Sequence, residues 1–184
     1  MPWTPSITVV LGLALVVATG CAPGGDQAAP SPGGESVERT PDEVAALACG
    51  DGVDVLPGRV DGLTLTGEFA ARVDRGGDGA FAGTVKLTST GAAVSGTTSP
   101  EADVYVASGG KVVATPPAKD SVGASIDLRP GTGREFSARG SVRGCAAAEP
   151  LDAGRYDVFA VVVVNRDDGP AVVVAGGPWP IEVV

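Results

Sequence analysis

From Asp61 onward, apolar residues recur at every second position. Leu63, Leu65, Phe69, Ala71 and Val73 fall on one face of a first long strand, and Asp74 to Gly79 (DRGGDG) reads as a turn. Phe81, Val85 and Leu87 carry the pattern along a second strand, which ends at Ser89-Thr90-Gly91. Val104 and Val106 alternate with Asp103 and Tyr105 on a third. Gly109-Gly110 then leads directly into Lys111-Val112-Val113-Ala114, a hairpin signal, and Pro116-Pro117 stops that strand. Val122, Ala124, Ile126 and Leu128 alternate again, and Arg129-Pro130-Gly131 turns the chain toward Phe136, Ala138 and Val142. After Leu151 comes the most apolar run, 155–164, which Asn165 to Pro170 turn back through 171–174; Trp179, Ile181 and Val183 close the domain. Seven to nine short strands at this spacing predict an all-β antiparallel sandwich. A parallel α/β sheet is disfavoured, since no helical crossover of useful length lies between the strands. One short helix is predicted ahead of the strands. Thr40 can cap it, Pro41 suits its first position, Glu43 completes a capping box, and Val44 to Ala48 extend it to a stop near Gly50.

In the run 155–164 both faces are apolar: Val158, Ala160, Val162 and Val164 on one, Phe159, Val161 and Val163 on the other. A sheet with one wet face alternates apolar with polar residues. The second face is therefore covered by the chain itself, for which segment 41–49 is the candidate, or buried against a partner. Phe159, Val161 and Val163 are accordingly candidate interaction residues. Trp179, set between Pro178 and Pro180, is either core or an exposed anchor of the kind favoured at binding hot spots.

The N-terminus follows a different pattern. Ile7 to Val17 is an apolar stretch of eleven residues, too short to span a bilayer as a helix. It runs into Val17-Ala18-Thr19-Gly20-Cys21, and charge begins only at Asp26. This resembles a bacterial lipoprotein signal peptide with its lipobox. Two departures are the absence of Lys or Arg in Met1 to Ser6 and Ala18 where the family favours Leu. The resemblance implies cleavage before Cys21, diacylglycerol on the Cys21 sulfur, and a further acyl chain such as palmitate on the new amine. Two or three chains anchor stably where one does not. The mature protein is then held at the cell membrane on its extracytoplasmic side. Residues 22–39 (APGGDQAAPSPGGESVER) lack the apolar residues needed to fold and read as a flexible tether. The expected organisation is a signal peptide over 1–20, a lipid-anchored linker over 21–39 and a single domain over 40–184.

Cysteine usage fits that organisation. There are three cysteines, and assigning Cys21 to lipid leaves Cys49 and Cys145 as an even pair. In an oxidising compartment they are expected to form a disulfide, the alternative being two free buried thiols.

Composition mostly removes possibilities. The net charge of −9 and pI near 4.4 disfavour nucleic acid and any electrostatic grip on anionic lipid, since both need clustered Lys and Arg. The chain contains no histidine, which removes Ser-His-Asp and Cys-His catalysis and any Cys/His metal site. Lys119 and Ser121 could form a Ser-Lys pair but sit in a loop after two prolines, where a solvated turn is the simpler reading. Asp74 with Asp78, and Asn165 with Asp167 and Asp168, offer oxygens for calcium, yet neither cluster matches an EF-hand and both suit tight turns. No cofactor, metal or catalytic residue is expected.

Leu151-Asp152-Ala153-Gly154-Arg155-Tyr156 resembles the tyrosine corner of immunoglobulin-like sandwiches, with Tyr156 as the corner residue. Val158 stands where antibody domains carry their second cysteine. Together with Leu128-Arg129-Pro130-Gly131 ahead of Phe136, this pattern resembles bacterial Ig-like domains over residues 61–184. It is also similar to the intracellular proteinase inhibitor domain of bacilli. The resemblance implies a fold; no inhibitory loop motif is present to map. The expected function is a lipid-anchored, non-catalytic binding module for an envelope protein or glycan. The rival expectations are a structural accessory of an envelope complex and a proteinase-inhibitor-like domain.

Overall fold

The computed structural model describes residues 46–119, 122–145 and 149–184, all within one compact unit, Glu38–Val184. The signal segment, Cys21, the linker, the expected helix start at Thr40–Glu43, and Ser121 lie outside the described residues.

The domain is an all-β sandwich. Its strands are β1 (Arg59–Val60), β2 (Leu63–Phe69), β3 (Arg72–Val73), β4 (Ala80–Ser89), β5 (Val94–Thr98), β6 (Glu101–Ser108), β7 (Lys111–Ala114), β8 (Ala124–Leu128), β9 (Gly133–Ser141), β10 (Gly154–Arg166) and β11 (Val172–Val183). They form one continuous hydrogen-bonded path, β1-β2-β4-β9-β6-β10-β11-β3, with β7 on β6 and the β5–β8 pair on the end of β10. The path folds back where β9 meets β6, so β1, β2, β4 and β9 make one layer and β6, β10 and β11 the other. Between them lies the main core, built from one face of each strand: Leu63 and Leu65, Val85 and Leu87, Phe136 and Ala138, Val104 and Val106, and the even-numbered Val158 to Val164.

Alternation produces this arrangement directly. In β4 the inward Val85 and Leu87 are buried while Lys86 is exposed, and β10 pairs with β11 across ten register positions. The β6–β7 hairpin turns on Gly109 and Gly110, with φ of +57° and +77°, which only glycine adopts without strain.

Three sequence expectations differ from the structure. The first strand is not continuous from Leu63 to Val73. It breaks after Phe69, and Arg72–Val73 pairs with Glu182–Val183 of the opposite layer, so the edge changes sheets. The pairing is not wholly antiparallel, because β3–β11 and β6–β9 are short parallel contacts. Ala46–Gly50 form a bend and a turn rather than the end of a helix; among the described residues the only helical element is a 3-10 turn at Val53–Val55.

Glycines shape the aromatic packing. Phe69 sits opposite Gly83 and Phe81 opposite Gly140. A Cβ on Gly83 would collide with the Phe69 ring, and one on Gly140 with the ring of Phe81. The two rings meet edge to face at 6.0 Å, and Trp179 packs on Phe69 at 5.3 Å. Gly67 and Gly176 clear the space for its indole.

Candidate functional site

Segment 46–57 is an irregular strap across the outer face of the second layer. Gly50 N–H donates to Val112 O at 2.8 Å, Val112 N–H to Asp51 O at 2.9 Å, and Val53 N–H to Gly110 O at 3.0 Å, so the strap extends the sheet beyond β7. Ala175 N–H donates to Pro57 O at 3.0 Å and fixes its far end on β11. A disulfide joins Cys49 to Cys145, after β9, at a sequence separation of 96. This is the pairing expected from the cysteine count.

Beneath the strap lies a second apolar cluster: Leu47, Tyr105, Val112, Val161, Val173 and Ala175, with Val53, Val55, Leu56, Phe159 and Val163 packed against it. Val161 is 1% exposed, and Phe159 and Val163 are half-buried. The face of β10 that sequence offered as a candidate interaction surface is thus covered from within by 46–57; of the expected cover 41–49, residues 46–49 belong to this strap and 41–45 lie outside the described residues. Strap residues Leu47, Val53, Val55 and Leu56 follow neither a period of two nor one of 3.6, so no periodic pattern marks them as a cover. Trp179 is half-buried against the main core.

Tyr105 is 2% exposed under the strap. Burial pushes its phenol up to about 12, the Asp103 carboxylate adds to the rise, and a hydrogen bond with the Leu47 backbone works against it. Tyr156 donates its hydroxyl to Asp152 O at 3.0 Å, which ties the entry of β10 to the preceding turn.

An open polar groove lies where the two layers part. Strands β6 and β9 pair only over Glu101–Asp103 and Ser137–Arg139, then diverge into different layers. The divergence leaves a concavity of about 410 Å³. Lys119 crosses one wall, with Nζ 2.9 Å from Asp103 Oδ1 and donating to Glu101 O at 2.7 Å. With side chains 20% and 29% exposed, that pair is partly withdrawn from water and holds segment 115–119 on β6. On the other wall Arg139 meets Asp78 at 2.8 Å with both side chains more than half exposed, a pair that opens at little cost. Arg143 lines the same groove. Charges of both signs in one concavity suit a polar chain such as a peptide or glycan. Sequence reasoning missed this site. Its members come from β4, β6, β9 and three loops, and the parallel β6–β9 contact brings them together.

The remaining candidates resolve as local structure. The Lys119 ammonium is held by two acceptors. Asp74 Oδ1 accepts from Gly76 N–H at 2.7 Å, and Asp78 Oδ1 from Ala80 N–H at 3.1 Å, both within turns. Arg166 holds Asp168 at 3.4 Å and Asp61 at 3.2 Å. Among the described residues, no three His, Cys, Asp or Glu side chains gather where they could hold a metal ion.

No protein-family model matches this chain, and no curated protein matches it. Among solved structures it is similar to Spo0M, the sporulation control protein from Bacillus subtilis, with a TM-score of 0.39 and 16% identity over 67% of this chain. The match spans 50% of that protein, a likeness too distant to bear on function.

Proposed function

We propose that this protein is a lipid-anchored, extracytoplasmic, non-catalytic interaction module of the cell envelope. The observation that carries the reading is the Cys49–Cys145 disulfide. It uses two of the three cysteines and leaves Cys21 at the end of the apolar leader. Disulfides persist in oxidising compartments outside the cytoplasm, and the leftover cysteine is the one a lipobox would modify. In this reading the anchor fixes the domain near the membrane, the tether 22–39 sets its reach, and the sandwich presents the groove between β6 and β9 to an envelope protein or glycan. The acidic surface keeps the domain off anionic headgroups.

The test has two arms. Detergent phase partitioning compares the wild type with Cys21→Ala; the reading predicts the detergent phase for the first and the aqueous phase for the second. A photo-crosslinking residue placed at Arg139 or Lys119 in cells should give one discrete adduct, absent when the residue is placed at Thr84 on the outer face of β4. Identical partitioning of the two proteins would remove the anchor, and equal labelling from Thr84 would remove the groove.

A further inference from the structure

We propose that the Cys49–Cys145 disulfide is a thiol-cleavable latch whose reduction releases the strap 46–57 while the sandwich core stays folded. Four observations lead there. Both half-cystines are exposed at the surface. They border an open cleft of about 590 Å³ with Val112, Val113, Leu151 and Tyr156 on its walls, room for an incoming thiol and the loop that carries it. Among the described residues, the strap is held besides the bond by four backbone hydrogen bonds to the β6–β7 hairpin and β11, the hydrogen bond between Tyr105 and the Leu47 backbone, one buried side chain, Leu47, and the half-buried Val53, Val55 and Leu56. Finally, the apolar cluster under the strap is separate from the main core. Val161 and Val173 face the strap, whereas Val162 and Val174 face the other layer. Lifting the strap therefore wets one cluster and leaves the other dry.

The chemistry is ordinary thiol–disulfide exchange with a dithiol reductant, a small dithiol or a Cys-x-x-Cys protein. A reductant thiolate attacks one sulfur of the pair and forms a mixed disulfide. The other sulfur leaves as a thiolate and takes a proton from water. The second reductant thiol then attacks the mixed disulfide and frees the remaining cysteine. Two electrons and two protons pass to the domain, and the dithiol becomes a disulfide. The product is a sandwich whose strap, among the described residues, stays joined to the sheets through the chain that follows Pro57. The Tyr105, Val161 and Val173 face beneath it opens, with Phe159 and Val163 at its margin. This device operates whether or not Cys21 carries lipid.

Residue-resolved amide exchange on the full chain tests it, oxidised against reduced with dithiothreitol, beside a Cys49→Ser/Cys145→Ser variant that needs no reductant. The amides of Gly50, Val53, Val112 and Ala175, which bond strap to sheet, should exchange about tenfold faster or more in the reduced protein and in the variant. Core amides of β4 and β9 should change less than about twofold. Unchanged strap amides would overturn the proposal. So would equal acceleration of strap and core, or failure of the variant to fold, since either makes the disulfide a staple of the whole domain.

Discussion

Tyr105 provides a sharp test of the strap. Its phenol is buried under Leu47 and sits at about 12, against an ordinary value of 10. The folded chain thus holds this proton more tightly than the unfolded chain does. The resulting stabilisation is fully present below pH 10 and is lost as the pH rises toward 12. Each tenfold gain in proton affinity corresponds to about 1.4 kcal/mol, so the wild type should lose about 2 kcal/mol by pH 11.5 through this group. Tyr105→Phe keeps the ring and removes the titration. At pH 8 the variant should be less stable by about 1 kcal/mol, the usual net value of one hydrogen bond. Guanidinium unfolding of both proteins from pH 8 to 11.5 would show the wild-type curve falling more steeply, crossing the variant near pH 11. Parallel curves would place Tyr105 in contact with water and rule out a strap closed over it.

Other perturbations follow from the packing. Val161→Ser puts a hydroxyl under the strap and should cost about 2–4 kcal/mol in denaturant unfolding; an unchanged midpoint would mean that this face is open. Gly140→Ala drives a methyl into Phe81 and should cost about 1–3 kcal/mol, whereas Gly109→Ala is strained only by its positive φ and should cost about 1 kcal/mol. A double-mutant cycle on Arg139 and Asp78 should give a coupling below about 1 kcal/mol, since both side chains are well exposed.

Much of the fold is legible because alternation records which way each side chain faces. The strands at 80–89, 111–114 and 133–141 and the hairpin at Gly109-Gly110 follow from period and turn chemistry alone. The apolar second face of β10 is equally plain: Val161 and Phe159 announce that something covers them. What covers them is not legible, because the strap is irregular and its apolar residues face the sheet without a repeat. Strand β5 escapes notice for a related reason. Its sequence, Val-Ser-Gly-Thr-Thr, has one large apolar residue and so no apolar alternation to mark it, yet Thr98 and Gly96 pair with β10. The single strand β11 reads as two pieces because Gly176-Gly177-Pro178 looks like a break; the bulge opposite Val158 and Ala160 absorbs it instead. The polar groove is invisible in sequence, since it depends on a parallel contact between strands more than thirty positions apart.

The most direct measurement is the intact and peptide mass of the protein purified from membranes without reductant. A lipid-anchored, disulfide-latched domain predicts an N-terminal peptide that begins at Cys21 and carries diacylglycerol, together with a Cys49–Cys145 cross-linked peptide. An unmodified Cys21 within an uncleaved leader, or Cys21 found in a disulfide, would contradict it.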